Sequence, residues 1–201
     1  MELRGPLTPG QRTDLERISQ NQRMLLTLID DVLNFAKLEA GRLELETAAV
    51  PVDEVLASME GLVRPLLLTR SLRYHYAPAD PSLTVFADRE KLQQILINLL
   101  TNAIKYTDHG EIRLSAAEDP DGKTVSIHVK DTGRGIAPEM LEQVFAPFVR
   151  VDRGYTRVTE GTGLGLAIAR DLARLMNGDL RVSSELGKGS TFTLQLPRRR
   201  A

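Results

Sequence analysis

The sequence predicts an α+β protein, built as a two-layer sandwich of helices on a sheet and preceded by one long helix. Strand-like alternation and helical periodicity are mixed along residues 43–201, without the strict strand–helix–strand order of a parallel α/β fold. Residues 8–40, in contrast, carry only a helical pattern. We therefore expect two parts, residues 1–42 and residues 43–201.

Composition limits the function classes. The chain has 201 residues, of which 42% are hydrophobic and 26% charged, and its formal net charge is −1, which argues against a nucleic-acid-binding face. The absence of cysteine excludes disulfides and thiolate sites, and the three histidines lack the spacing of a zinc site. No apolar run is long enough to cross a bilayer and no signal peptide is visible. We expect a cytoplasmic protein, or the cytoplasmic part of a larger one, without membrane contact of its own.

The N-terminal helix is predicted to carry an apolar seam. Its side chains recur in alternating steps of three and four, as in a heptad repeat: Leu15, Ile18, Gln22, Leu25, Ile29, Val32 and Ala36. Leu28, Leu33 and Phe35 widen this stripe, as in a helix bundle. A single helix cannot bury such a stripe, so we expect a partner helix. Docking on the helix's own domain is the alternative.

The remaining elements follow from periodicity and from turn residues. We predict strands at residues 43–46, 72–76, 83–86, 111–116, 124–130, 179–184 and 191–196. We predict helices at residues 51–69, 89–106 and 164–176, and a short helix opened by Pro138. Asp88 can cap the helix at residues 89–106. Residues 187–190 superficially resemble a phosphate-binding loop, but they lack its following helix and are better read as a tight hairpin.

Two asparagines share one face of the predicted helix at residues 89–106. Asn98 and Asn102 are four residues apart, and Lys105 and Tyr106 follow one turn later. An amide oxygen is a neutral, hard ligand that suits Mg²⁺, and a nearby ammonium can neutralise phosphate oxygens. A solvated helix face is the alternative interpretation of the same spacing.

Two glycine-rich turns add a candidate binding site for a nucleobase and one for anions. Asp131 ends a predicted strand and is followed by Gly133 and Gly135, so its carboxylate could accept a hydrogen bond from an exocyclic amine such as that of adenine. One Asp-Thr-Gly copy supplies only half of an aspartic-protease dyad, which argues against that class. The second turn precedes a helix, whose N-terminal amides would bind phosphates. Its glycines are Gly161, Gly163 and Gly165.

These motifs resemble those of sensor histidine kinases, which share an ATP-binding superfamily with DNA gyrase and the ninety-kilodalton heat-shock chaperones. Residues 98–107 resemble the N box, 131–136 the first glycine box, 145–148 the F box, 161–166 the second glycine box and 187–191 the third. The resemblance covers nearly all of residues 43–196 and implies a Bergerat-type ATP-binding fold. It also implies that residues 1–42 are part of a dimerisation and phosphotransfer hairpin, mainly its second helix.

The resemblance implies roles for individual residues. Asn98, Asn102 and Lys105 would act in catalysis, Asn102 and Asn98 would hold Mg²⁺, and Asp131 would contact the adenine amine. ATP or ADP would contact a wider set, namely Asn102, Lys105, Tyr106, Asp131, Gly133, Gly135, Ile136, Gly161, Thr162, Gly163, Leu164, Gly165, Leu166 and Thr191. Residues 149–160, which are polar and aperiodic, would be the ATP lid, with a surface loop as the alternative. Expected partners are a response-regulator receiver domain and a second copy joined through the N-terminal helix.

Two departures from the family pattern refine this expectation. Hydrolytic relatives place a glutamate where Asn98 stands, and an amide is a poor general base, so rapid ATP hydrolysis is not expected. The family's acceptor histidine opens a His-Glu-Leu-Arg box, whereas this chain begins Met1-Glu2-Leu3-Arg4. Residues 1–7 would then be the end of the first hairpin helix and the turn, with the histidine lost upstream by truncation or, alternatively, by a natural deletion. We expect a kinase module that binds nucleotide but cannot phosphorylate itself; the alternative is a nucleotide-binding scaffold without phosphotransfer.

Overall fold

The computed structural model describes residues 7–149 and 162–198. Its helices are α1 (Pro9–Glu39), α2 (Val52–Arg70), α3 (Arg89–Tyr106) and α4 (Gly165–Leu175), with short 3-10 turns at Pro138–Met140 and Gln143–Phe145. Its strands are β1 (Ala48–Pro51), β2 (Arg73–Tyr76), β3 (Thr84–Ala87), β4 (Glu111–Glu118), β5 (Thr124–Asp131), β6 (Asp179–Glu185) and β7 (Gly189–Pro197). Within the described ranges, no helix is long and apolar enough to span a membrane.

A five-stranded sheet and the helices on one of its faces confirm the predicted α+β sandwich. The strand order is β2-β4-β5-β7-β6, in which β2 and β4 are parallel and the other neighbours are antiparallel. Alternate residues of the central strands, such as Val125, Ile127 and Leu194, are fully buried and face the helices. Their neighbours form an open face on the other side of the sheet. A separate antiparallel pair joins β1 to β3.

Helix α3 is central to the helical layer and follows the predicted boundaries. Asp88 caps it, because its Oδ1 accepts from the amides of Glu90 and Lys91 at 3.0 and 3.1 Å. The side chains that face the sheet are completely buried: Leu92, Ile95, Leu96, Leu99 and Leu100. This packing fixes α3, and the polar residues on its other face therefore have defined positions.

The strand predicted at residues 43–46 is wrong, because this stretch is irregular and the strand begins at Ala48. Leu43 and Leu45 alternate because both pack, partly buried, against the hydrophobic core. The amide of Glu46 donates to Asp88 Oδ2 at 3.0 Å instead of to a strand partner. Alternating burial therefore resembled a strand without the ladder of hydrogen bonds that makes one.

Helix α1 begins at a capping box and leaves its predicted seam exposed. Thr8 accepts from the Gln11 amide at 3.3 Å, and the Gln11 side chain accepts from the Thr8 amide at 3.0 Å. The seam residues Leu25 and Ile29 are 58% and 44% exposed. Among the described side chains of α1, the partly buried Phe35 and Leu38 in its C-terminal part pack against the core. Residues 1–6, predicted as the end of a preceding helix, lie outside the described residues.

Candidate nucleotide site

The two asparagines of α3 face the turn that opens α4. Asn98 Nδ2 donates to the carbonyl oxygen of Gly165 at 3.1 Å, and a Cβ built on Gly165 would lie 3.6 Å from the Asn98 amide carbon. Asn102 is half-buried one turn later, and its side chain makes no hydrogen bond within the described ranges. Both amide oxygens are the hard donors that Mg²⁺ prefers, and phosphate oxygens and water would have to complete its six ligands.

No side chain among the described residues caps the N-terminus of α4. Leu164 occupies the N-cap position and makes no side-chain capping bond. Helix α2 also lacks a side-chain cap, whereas Thr8 and Asp88 cap α1 and α3. The first-turn amides of α4 therefore have no side-chain acceptor in the described part of the chain. Free amides at the positive end of a helix are the donors that a phosphate group needs.

Gly163 allows this turn to lie against the F-box segment. Its φ of +74° is left-handed, and a Cβ there would meet the backbone of Phe148 at 3.0 Å. The amide of Phe148 donates to the Gly163 carbonyl at 3.0 Å. The second glycine turn is thus tied to the segment that ends at Val149.

Asp131 is a buried carboxylate at the end of β5, only 5% exposed. Its Oδ1 accepts from the amides of Gly133 and Ser190 at 2.8 and 3.3 Å. Burial raises the pKa of Asp131, and these two hydrogen bonds act in the opposite direction. Both of these bonds end at Oδ1, so Oδ2 is left to a donor from outside this pair of amides. A carboxylate in this setting suits an amine-bearing ligand.

The first glycine loop leaves no room for side chains around Asp131. A Cβ on Gly133 would lie 2.3 Å from the Tyr106 carbonyl and 2.8 Å from the Thr107 hydroxyl. That hydroxyl is completely buried and has no hydrogen-bond partner among residues 7–149 and 162–198. A buried polar group of this kind requires a partner, and a polar ligand beside Asp131 would meet the requirement.

The rest of this loop is held by the hairpin between β6 and β7. Gly135 has a φ of +71°, and a Cβ on it would lie 2.1 Å from the Glu185 carbonyl. The amide of Ile136 donates to Ser184 Oγ at 2.8 Å. The first and third glycine motifs therefore pack directly on each other, which the sequence spacing alone could not establish.

Two cations lie on the ring of Tyr106 at the end of α3. Lys105 Nζ is 4.7 Å from the ring centroid, and the guanidinium carbon of Arg134 is 4.5 Å from it. The Arg134 amide also donates to the Tyr106 carbonyl at 3.2 Å. These cations give this end of the site a positive potential that would attract phosphates.

The structure brings together the predicted residues of α3, the first glycine loop and the start of α4, but not Thr191. Thr191 pairs in register with Lys130, and Thr193 two residues later bonds His128 on the open face of the sheet. Alternation therefore places the Thr191 side chain on that open face, away from α3. Its neighbour Ser190, whose amide contacts Asp131, lies on the helix side.

Some residues of the site were not predicted from the sequence, and some predicted residues lie outside the described part of the chain. Ser190, Arg134 and Thr107 were not predicted, although the alternation of β7 could have identified Ser190. Gly161 and residues 150–160 of the predicted lid lie outside the described residues. His75, His109 and His128 lie outside α1.

Comparisons with known proteins identify the family of this chain. The family model described as "Histidine kinase-, DNA gyrase B-, and HSP90-like ATPase" matches residues 87–200. Sensor histidine kinase RcsC of Salmonella typhimurium is 39% identical over 192 residues, which cover 95% of this chain and 20% of the relative. Autoinducer 2 sensor kinase/phosphatase LuxQ of Vibrio harveyi is 32% identical over 195 residues, which cover 94% of this chain and 23% of LuxQ.

Solved structures extend the similarity to the N-terminal helix. Full-length ShkA in complex with AMPPNP superposes with a TM-score of 0.83 at 36% identity, over 98% of this chain and 41% of ShkA. The catalytic domain of histidine kinase ThkA gives a TM-score of 0.66 at 26% identity, over 77% of this chain and 99% of that domain. This chain thus spans less than half of ShkA and less than a quarter of RcsC and LuxQ.

The matched segment contains every element that forms the site, from the cap of α3 to the end of β7. The similarity to the catalytic ATP-binding domain of sensor histidine kinases, which the motifs predicted, is therefore confirmed. The chain belongs to the family of histidine kinase-, DNA gyrase B- and HSP90-like ATPases.

Proposed function

We propose that this chain binds Mg²⁺ and ATP and is the catalytic module of a two-component sensor histidine kinase. The observations that support the proposal are contacts made by three groups with α3. Asn98 and Asn102 lie on this helix, and Asn98 contacts Gly165 at the start of α4, which has no side-chain cap among the described residues. The loop after the buried carboxylate of Asp131 contacts Tyr106 at the end of the same helix. The two asparagines suit a metal, the carboxylate an adenine and the start of α4 phosphates. The names of the relatives support the kinase class.

In this proposal each group has one role during phosphoryl transfer. Asp131 accepts from the adenine amine, and the first-turn amides of α4 with Lys105 hold the phosphate oxygens. Asn102 and Asn98 would hold Mg²⁺, which supplies charge neutralisation when bound. A nitrogen of an acceptor histidine attacks the γ-phosphorus, the bond to the β-γ bridging oxygen breaks, and ADP leaves; a response-regulator aspartate then receives the phosphoryl group. Such chemistry depends mainly on positioning and electrostatics.

The proposal assigns residues 1–42 to a dimerisation hairpin and residues 43–201 to the catalytic domain. The exposed seam of α1 supports a homodimer formed through this helix, because exposed apolar stripes are the surfaces that coiled coils and bundles bury. No histidine lies in α1. The phosphoryl acceptor would therefore belong to a helix outside this chain.

Phosphotransfer in trans tests the proposal. The full chain is mixed with a separate dimerisation hairpin that carries a His-Glu-Leu-Arg box, and with ATP labelled at the γ-phosphate. We expect label on the hairpin and none on this chain. Asn102→Ala should abolish transfer and weaken Mg²⁺-dependent ADP binding, whereas Asn21→Ala, on an exposed position of α1, should change neither. Binding of ADP without any transfer would contradict kinase activity.

A nucleotide-binding scaffold is the second candidate. One observation favours it, namely that the three histidines lie in β2, in β5 and in the loop after α3 rather than on α1. The same assay separates the two functions, because a scaffold binds ADP but labels no hairpin. A hydrolysing ATPase would instead release phosphate steadily, which the amide at position 98 disfavours.

A further inference from the structure

Helix α1 contacts the turn that opens α4 through one carboxylate. The Thr162 hydroxyl donates to Asp31 Oδ2 at 2.8 Å and accepts from the Leu164 amide at 3.1 Å. A hydroxyl has a single proton, so the bond to Asp31 fixes that proton and turns a lone pair towards Leu164. A charged acceptor makes this bond stronger than a neutral one. Asp31 therefore orients the hydroxyl that holds the N-cap residue of α4.

A second contact from α1 reaches the same turn from its other side. The rings of Phe35 and Phe148 meet edge to face with centroids 6.4 Å apart. Phe148 has a φ of +64°, which is unfavourable for a bulky residue and persists only where its surroundings enforce it. Its amide donates to the Gly163 carbonyl at 3.0 Å. Asp31 thus contacts Thr162, which precedes Gly163 in the sequence. Phe35 contacts Phe148, whose amide is hydrogen-bonded to Gly163.

These contacts use a different face of α1 from the predicted dimer seam. Asp31, Phe35 and Leu38 are spaced by four and three residues, share one side of the helix and are each half-buried. At 3.6 residues per turn, the seam residue Ile29 lies roughly 150° and Val32 roughly 90° from the middle of this side. The helix can therefore pair through the seam and remain docked on the turn.

We propose that Asp31 is a positioning residue of the nucleotide site, acting through the Thr162 hydroxyl on the phosphate-binding turn of α4. The inference rests on the proposed nucleotide site. A turn held in its binding conformation before the ligand arrives loses less conformational entropy on binding. Nucleotide affinity then depends on α1 being docked, and this dependence concerns the phosphates rather than the base.

Asp30 provides a matched control for the test. It precedes Asp31 on the same helix and carries the same charge, but it is exposed. We would measure dissociation constants of Mg²⁺-ADP and of adenosine for this chain and for its variants Asp31→Ala, Asp31→Asn and Asp30→Ala. Alanine is favourable in a helix, so these variants should fold, and circular dichroism would confirm it.

Asp31→Ala should weaken ADP about 3- to 10-fold, the range of one modest hydrogen bond. Adenosine, which lacks phosphates, should bind as it does to the wild type. Asp31→Asn should restore ADP affinity, because an amide oxygen also accepts the Thr162 proton. Asp30→Ala should resemble the wild type. Equal loss of ADP and adenosine, or no rescue by asparagine, would overturn the proposal.

A double-mutant cycle with Thr162→Val gives a second, independent test. If Asp31 acts through this hydroxyl, the double variant should bind ADP no more weakly than Thr162→Val alone. Losses that multiply would show that Asp31 acts by another route. If the wild type binds neither ADP nor adenosine, the proposed nucleotide site itself is wrong. If it binds both, and Asp31→Ala has the same ADP affinity as Asp30→Ala, only the role of Asp31 is wrong.

Discussion

Replacing Asp131 by asparagine separates the contribution of this side chain to folding from its proposed role in base recognition. The amides of Gly133 and Ser190 both donate to Oδ1, at 2.8 and 3.3 Å. The amide oxygen of asparagine can accept both bonds, so the loop keeps its internal contacts. Only the second oxygen changes, from an acceptor to an NH2 donor.

The expected loss of affinity follows from this exchange of acceptor for donor. A hydrogen bond to a charged acceptor contributes about 1.5–3 kcal/mol, and 1.4 kcal/mol corresponds to about a factor of ten. ADP should therefore bind about 10- to 150-fold more weakly to Asp131→Asn. IDP carries a carbonyl oxygen where ADP carries the amine, so its affinity relative to ADP should rise.

Stability should change in the opposite direction. Burial raises the pKa of Asp131 in the folded protein, so its contribution to stability is complete below the unfolded-state pKa and is lost as the pH rises through the folded-state pKa. At pH 7 the neutral asparagine should therefore unfold at the same temperature as the wild type or at a higher one. The difference should disappear in acid, where the wild-type carboxyl is also protonated.

Titration calorimetry with ADP and IDP, together with thermal unfolding of the free protein, measures these effects. The wild type should also lose ADP affinity as the pH falls through the raised pKa of Asp131, whereas the asparagine variant should show a flatter profile. Equal loss of ADP and IDP, or unchanged ADP affinity in a folded variant, would refute recognition of the amine by Asp131.

Three further substitutions test other features of the fold. Gly135→Ala should destabilise the protein by more than about 1 kcal/mol in urea unfolding, because its φ is +71° and a Cβ would meet a backbone carbonyl at 2.1 Å. Its control is Gly61→Ala, which lies in open space within α2 and should stabilise the protein by about 0.5–1 kcal/mol in the same measurement. Ile29→Asn should shift sedimentation from dimer towards monomer, and an unchanged profile would argue against the seam; Leu68→Asn, 74% exposed on α2, is its control. Asn98→Asp places a carboxylate against the Gly165 carbonyl to which Asn98 now donates. It should lower the free energy of unfolding by about 1–3 kcal/mol. An unchanged denaturant midpoint would contradict this prediction.

Local signals predicted much of this fold because several of them agreed at the same positions. Helix α3 combined a capping aspartate, a 3.6-residue apolar period and a C-terminal break, and its boundaries were predicted correctly. Residues 43–46 failed because their alternation reflects burial against the core, and a strand also needs a partner that the sequence does not reveal.

The site was harder to predict at the level of single side chains. The order and spacing of the motifs predicted that the glycine turns lie near α3. Which side of β7 faces the site depends on where that strand starts. The strand begins at Gly189, so Ser190 faces the helices and Thr191 does not. The contact between Asp31 and Thr162 joins residues 131 positions apart, and no local pattern encodes such a distance.

The start of α4, which no described side chain caps, implies that the proposed ligand would complete part of this protein's secondary structure. A leucine at the N-cap in place of serine or aspartate forgoes about 0.5–2 kcal/mol of helix stability. Bound phosphates would supply the missing acceptors, so amide exchange in the first turn of α4 should slow on nucleotide binding more than in the already capped α3. Weak intrinsic stability at the start of this helix would then be a property that binding requires.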